Sequence, residues 1–138
     1  MCGICGELRF DGRAPEAATL SRMNEKLARR GPDDEGVFIS GPMGFGHRRL
    51  SVIDLSDRSH QPMVDEELGL SLVFNGAIYN YQAVRAELIE AGYSFFSEGD
   101  TEVIIKAFHY WGEACVERLR GMFAFAIWSE KSQSLFMV

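Results

Sequence analysis

The sequence predicts a layered α+β domain. Short strand-like runs alternate with stretches of helical periodicity, and no internal repeat, low-complexity tract or linker divides the chain. With 46 % apolar and 12 % aromatic residues, residues 1–138 suit one domain that fills its own core without disulfides or metals.

Ile4 to Phe10 partly alternates and holds few helix formers, so it is expected as a strand closed by Asp11 and Gly12. From Pro15 to Arg30 the apolar residues Ala17, Leu20, Met23 and Leu27 recur at helical spacing, ahead of the breaker pair Gly31-Pro32. Gly36–Ser40 and Met43–Arg49 read as strands around the turn Gly41-Pro42, and Ser51–Leu55 as a further strand. Leu70–Phe74 is a nearly continuous apolar run, expected to end in a turn at Asn75-Gly76. Asn80 is placed to cap a helix through Glu90, with Val84, Leu88 and Ala91 inward and Gly92 as terminator. A second helix follows Asp100 through Trp111, and a short helical turn is expected over Ala114–Leu119. Met122–Trp128 and Leu135–Val138 are predicted core strands. The chain stops inside the second of these, so the domain is expected to be truncated at its C-terminus.

The formal charge of −6 leaves no basic footprint for nucleic acid. No segment has the pattern of an export signal or a membrane span, which predicts a cytoplasmic protein. An odd count of cysteines then argues for free thiols. His47, His60 and His109 lack ligand spacing, so no metal is expected, and the glycines of GPMGFGHR fit neither a dinucleotide fingerprint nor a P-loop.

Cys2 and Cys5 form a C-x-x-C, open to a zinc or redox reading. A zinc site needs a second pair, however, and a redox pair normally begins a helix, whereas on a strand residues 2 and 5 face opposite ways. Cys5 is therefore read as a small core residue. Cys2 differs because removal of Met1 would join its thiol to a free α-amine. Such an amine has a pKa of about 7.7–8.0 and can deprotonate the thiol without a histidine.

MCGICG, RGPDDEG (30–36), GHRRLSVIDLS (46–56), QPM (61–63), FNGAIYN (74–80), GDTEVI (99–104) and GMFAFAIW (121–128) occur in one order along the chain. In wording and spacing they resemble the class II glutamine amidotransferases, specifically the asparagine synthetase branch. FNGAIYN and the opening MCGICGELRFDG resemble the N-acetylglutaminylglutamine amide synthases within it.

The resemblance implies a four-layer αββα sandwich of the N-terminal nucleophile class. It implies hydrolysis of the glutamine side-chain amide, with Cys2 as nucleophile and Asn75 and Gly76 as the oxyanion hole. Arg49 would bind the substrate α-carboxylate, where a guanidinium suits a planar anion. Asp100 would take the α-ammonium, unless it serves only as a helix cap. No cofactor is expected in this domain. ATP and magnesium would belong to a covalently linked synthetase domain, absent from these residues, that receives the ammonia. An unfinished sheet edge could also pair with a second copy, as a homodimer. One departure from the family is Ala77, where a Glu is usual; it leaves open a non-catalytic, amino-acid-binding or regulatory domain of the same fold. Glu98 or Glu102 is the expected substitute if another carboxylate replaces the missing Glu.

Overall fold

The computed structural model describes residues 1–51, 53 and 56–138. The expected strand over Ser51–Leu55 falls largely on residues outside that set.

The element order is β1 (Gly3–Leu8), α1 (Ala17–Leu27), β2 (Asp34–Ser40), β3 (Met43–Arg49), β4 (Met63–Asp65), β5 (Leu70–Ile78), α2 (Tyr81–Glu90), α3 (Asp100–Trp111), α4 (Cys115–Arg118), β6 (Gly121–Ser129) and β7 (Ser134–Met137). Two antiparallel sheets result, in the orders β1-β3-β2 and β4-β5-β6-β7. Helix α1 packs on the first sheet, and α3 lies against β5 of the second with α2 beside it. The layers are thus helix, sheet, sheet and helices.

Alternation along the strands explains the layering, since neighbouring side chains face opposite sides. Met43 and Phe45 of β3 meet Val73, Ala126 and Trp128 of β5 and β6, with Ile4 and Leu8 of β1 packed beside them. This is the core between the sheets. Leu72, Phe74, Ile78, Phe125 and Ile127 point the other way, onto Val84, Leu88, Val103 and Ile104 of the helices. Each large side chain fully buried there contributes roughly 1.5–3 kcal/mol, and both cores need β5. The continuous apolar run read in the sequence is a strand buried on both faces.

Helix α1 uses a narrower stripe than its apolar pattern promises. Leu20 is buried and Leu27 half-buried, but Ala17 and Met23 are exposed. Between them Asn24 is buried, donating to Gly36 O (2.9 Å) and His47 O (3.3 Å). A polar residue holds this position because it binds two strands' carbonyls at once. The α2 stripe is also narrower, since Val84 and Leu88 are buried but Ala91 is exposed. Asn80 precedes α2 without capping it; its side chain instead joins Arg118 O (2.9 Å) and Arg120 N (2.8 Å).

The strands differ from the sequence reading at three places. Asn75-Gly76 is no turn, because β5 continues to Ile78 and pairs with β6 throughout. β4 is a three-residue strand too short to show any period. β7 lies last in the described sheet with Met137 exposed, while Leu135 packs on the core between the sheets and Phe136 on the core under the helices.

His47 ties the two sheets together. The ring is fully buried, and Nε2 lies 3.1 Å from Phe74 O on β5. A carbonyl can only accept, so Nε2 carries the proton. Burial lowers the ring's pKa to about 4, against a smaller opposing effect of the Phe74 carbonyl. An unfolded histidine titrates near 6.5, so between those values the unfolded chain takes a proton that the folded chain refuses. Stability is therefore present above about pH 6.5 and is lost as pH falls towards 4, by on the order of 3 kcal/mol. Urea unfolding at pH 7 and pH 4.5 should show a smaller acid loss for His47→Gln than for the native chain. Equal losses would mean that His47 does not govern this part of the acid response.

Candidate active site

A cavity of about 230 Å³ opens at one end of the space between the sheets. Cys2, Arg49, Asn75, Gly76 and Asp100 all line it, so the five residues singled out in the sequence converge, although they lie as far as 98 positions apart in the numbering. Gln61 and Thr101 line it as well. Neither was singled out, and only the QPM and GDTEVI wording around them hinted at a role.

Cys2 stands just before β1, whose alternation sends Ile4 and Leu8 inward and Cys5 towards α1. Cys2 shares the inward parity, and its Sγ accepts a hydrogen bond from Leu50 N–H at 3.3 Å. Arg30 Nε donates to the Cys2 carbonyl at 3.1 Å, which fixes the backbone at this point. Met1 precedes Cys2 here and itself lines the cavity, so the Cys2 nitrogen is a peptide nitrogen. Cys5 is half-buried and directed at Asn24 Oδ1 (3.4 Å), and burial raises its thiol pKa despite a backbone contact from Gly46. The two thiols therefore belong to different faces. Among the described residues no group of three or more His, Cys, Asp and Glu could hold a metal ion.

Arg49 ends β3 and is buried, with Nη1 donating to Ser56 O at 3.0 Å. The segment after it is tied down twice more: Ser51 N–H donates to Asp33 Oδ2 (2.8 Å), and His60 Nδ1 meets Asp34 Oδ2 (2.6 Å). Gln61, at the end of this segment, accepts from Phe74 N–H through Oε1 at 2.7 Å.

The β5 edge organises the rest. In an antiparallel ladder alternate residues turn their backbone groups to the same neighbour. β4 pairs with β5 only as far as Leu72, opposite Met63. Beyond it the same edge continues through Phe74, Gly76 and Ile78. Phe74 N–H goes to Gln61, Phe74 O to His47, and Ile78 N–H to Asp100 Oδ2 at 2.9 Å. Gly76 lies between them with its amide on this edge, and no described side chain is supplied to it. Glycine is required there: φ is +150°, and a Cβ would lie 2.2 Å from Met122 O. Asn75 points from the inner face, its Oδ1 buried without a hydrogen-bond partner among the described residues.

Asp100 opens α3, one residue after the cap position at Gly99, and is buried. Burial raises its pKa, opposed by bonds from the N–H groups of Ile78, Asp100 itself and Thr101. It is the one carboxylate lining the cavity among the described residues. Glu102 is turned away and fully buried, accepting from Phe96 N, Ser97 N and Ser97 Oγ. Glu98 is exposed and lies 3.6 Å from Arg85. Neither lines the cavity beside Ala77, so of the two alternatives the one that leaves Asp100 as the remaining carboxylate fits the lining.

A two-sheet sandwich with helices outside and a thiol at the head of its first strand has the architecture of the N-terminal nucleophile class. The chain belongs to the glutamine amidotransferase domain family, which matches it over residues 1–138. It is 40 % identical to asparagine synthetase [glutamine-hydrolyzing] 3 of Bacillus subtilis over 99 % of this chain and 22 % of that protein. It is 41 % identical to a putative asparagine synthetase [glutamine-hydrolyzing] of Mycobacterium tuberculosis over 99 % of this chain and 23 % of the relative. The chain thus spans about a fifth of the length of these curated relatives. Glutamine phosphoribosylpyrophosphate amidotransferase from B. subtilis shares the fold at TM-score 0.73 and 20 % identity, over 94 % of this chain and 35 % of that one. No helix among the described residues is long and apolar enough to cross a membrane.

Gly76→Ala should separate the β5–β6 pair locally, because both the φ value and the contact with Met122 O oppose a Cβ. The expected cost is more than about 2 kcal/mol in urea unfolding. A change within about 0.5 kcal/mol would contradict the geometry at this edge.

Proposed function

We propose that this chain hydrolyses the side-chain amide of glutamine to glutamate and ammonia. The observation that carries this reading is the convergence of Cys2, Arg49, Asn75, Gly76 and Asp100 on one cavity. After removal of Met1 the Cys2 α-amine takes the thiol proton, and Sγ attacks the amide carbon. The resulting oxyanion is stabilised by the Asn75 side-chain amide and the Gly76 N–H, each donor of this kind being worth about 2.7–4 kcal/mol. The α-amine returns the proton to the leaving nitrogen, and ammonia departs as the γ-glutamyl thioester forms. Water then adds to the thioester and releases glutamate and the thiol.

Arg49 holds the substrate carboxylate and Asp100 its ammonium. No cofactor takes part. The ammonia passes to a covalently linked synthetase domain that uses ATP and magnesium, a reading supported by the greater length of the relatives. The compartment is the cytoplasm, and a homodimer is an open assembly for the complete protein. The apolar Ala77 in the cavity lining favours a second reading, a domain that binds an amino acid without hydrolysing it. Glutaminase assay of the complete protein separates the two.

Blocking the amine tests the mechanism directly. An N-terminally tagged complete protein should lose glutamine hydrolysis and keep ammonia-dependent synthesis; equal glutamine-dependent rates for tagged and processed protein would remove the amine from the mechanism. A glutamine-like electrophile should label Cys2 and spare Cys5 and Cys115, which peptide mapping reads.

With Asp100 alone at the ammonium end, Asp100→Ala should raise the KM for glutamine roughly 10–100-fold, equivalent to about 1.5–3 kcal/mol for a charge-assisted contact. Ala77→Glu should raise kcat/KM by supplying a second carboxylate. If neither substitution alters glutamine turnover, the ammonium is bound elsewhere.

A further inference from the structure

We propose that Gln61 and His47 are positioning residues for the Gly76 amide: by completing the β5 edge that β4 leaves open, they hold the oxyanion donor in register. This rests on the glutaminase reading above. Both side chains are buried, Gln61 at 4 % and His47 at 0 % exposure, and they come from different parts of the fold. Gln61 Oε1 takes Phe74 N–H at 2.7 Å, and His47 Nε2 donates to Phe74 O at 3.1 Å. Both polar groups of one backbone residue are thus held by side chains.

The carbonyl held by His47 belongs to the peptide whose nitrogen is that of Asn75. Fixing that plane fixes the point from which the Asn75 side chain departs and from which the chain runs to Gly76. Two residues beyond Gly76, Asp100 holds Ile78 N–H on the same edge. Gly76 itself has no side chain to lock it and sits at φ +150°, a conformation it reaches readily and leaves readily. The ladder to β6 holds the Asn75 carbonyl in the same peptide plane as the Gly76 amide, and the residues on either side complete its direction along the open edge. Direction matters because an oxyanion donor acts over only about 2.7–3.1 Å. His47 Nε2 is the donor because the carbonyl it faces can only accept, which selects the tautomer of the buried ring.

Gln61 and His47 act through Phe74, and so should affect the tetrahedral intermediate more than the bound substrate. In the complete protein with Met1 removed, Gln61→Leu should lower kcat for glutamine hydrolysis about 10–100-fold, less than loss of a donor itself, with KM changed by less than about threefold. Gln61→Glu retains an acceptor oxygen and should recover most of the rate. Glutamate γ-semialdehyde adds to the Cys2 thiol as a tetrahedral hemithioacetal, so its affinity should fall by the same factor as kcat. Glutamate has no tetrahedral centre, and its affinity should hold.

A loss shared equally by glutamate and the aldehyde, a change confined to KM, or no rescue by Gln61→Glu would overturn the proposal. If Gln61→Leu does not fold, Gln61→Met, nearer in length and equally without an acceptor, carries the same comparison. Wild-type protein without glutaminase activity would overturn the underlying reading and this proposal with it. Active wild type matched in rate by Gln61→Leu would overturn the proposal alone.

Discussion

The outer edge of β5 is the constraint on which the site depends. Its ladder partner β4 stops opposite Leu72, while the strand continues to Ile78. A strand edge inside a folded domain cannot leave its amides and carbonyls without partners, because each buried orphan costs about 1–3 kcal/mol. Gln61, His47 and Asp100 supply side-chain partners at Phe74 and Ile78. The intervening Gly76 lines the cavity, and on the proposed reading its amide is the donor that this open edge presents to an oxyanion.

The two sheets make that place accessible to Cys2. The inward parity of β1 sends Ile4 and Leu8 against the second sheet, and Cys2 continues it past the end of the strand. Shifting the β1 register by one residue would turn Cys5 inward and Cys2 towards α1. The packing of Gly3 against Leu27 and the contact between Cys5 and Asn24 oppose that shift. The orientation of the thiol is thus a consequence of ordinary core packing, with Arg30 and Leu50 adding the last constraints on its backbone and sulfur.

Much of this was legible in sequence, for physical reasons that differ by element. β3 announced itself through the turn Gly41-Pro42 before it, β5 through its apolar run, and α2 and α3 through apolar stripes at helical spacing. Asn75-Gly76 was misread because the pair is common in turns; here the glycine serves close pairing with Met122 and Phe123 instead. Asn24 and Glu102 were invisible as core residues, since polar side chains are buried only when long-range partners exist, and partners do not appear in local periodicity. The five residues that converge on the cavity were found through motif wording. Gln61 was missed because its partner, the Phe74 amide, is a backbone group exposed only by the early end of β4.

Asp100 shows how closely scaffold and site are joined. Its carboxylate receives backbone N–H groups from Ile78, itself and Thr101, and burial nevertheless moves its pKa upward, so desolvation outweighs those three donors. A carboxylate in that balance gains more from an incoming cation than one in water would, because the low-dielectric surroundings strengthen the pair. The same carboxylate cannot be removed without also releasing Ile78 N–H beside Gly76. On the proposed reading, recognition of a cationic ligand and alignment of the oxyanion edge therefore share one residue. Ala77 leaves this residue without a second carboxylate beside it, which concentrates both tasks on Asp100 rather than dividing them between two side chains.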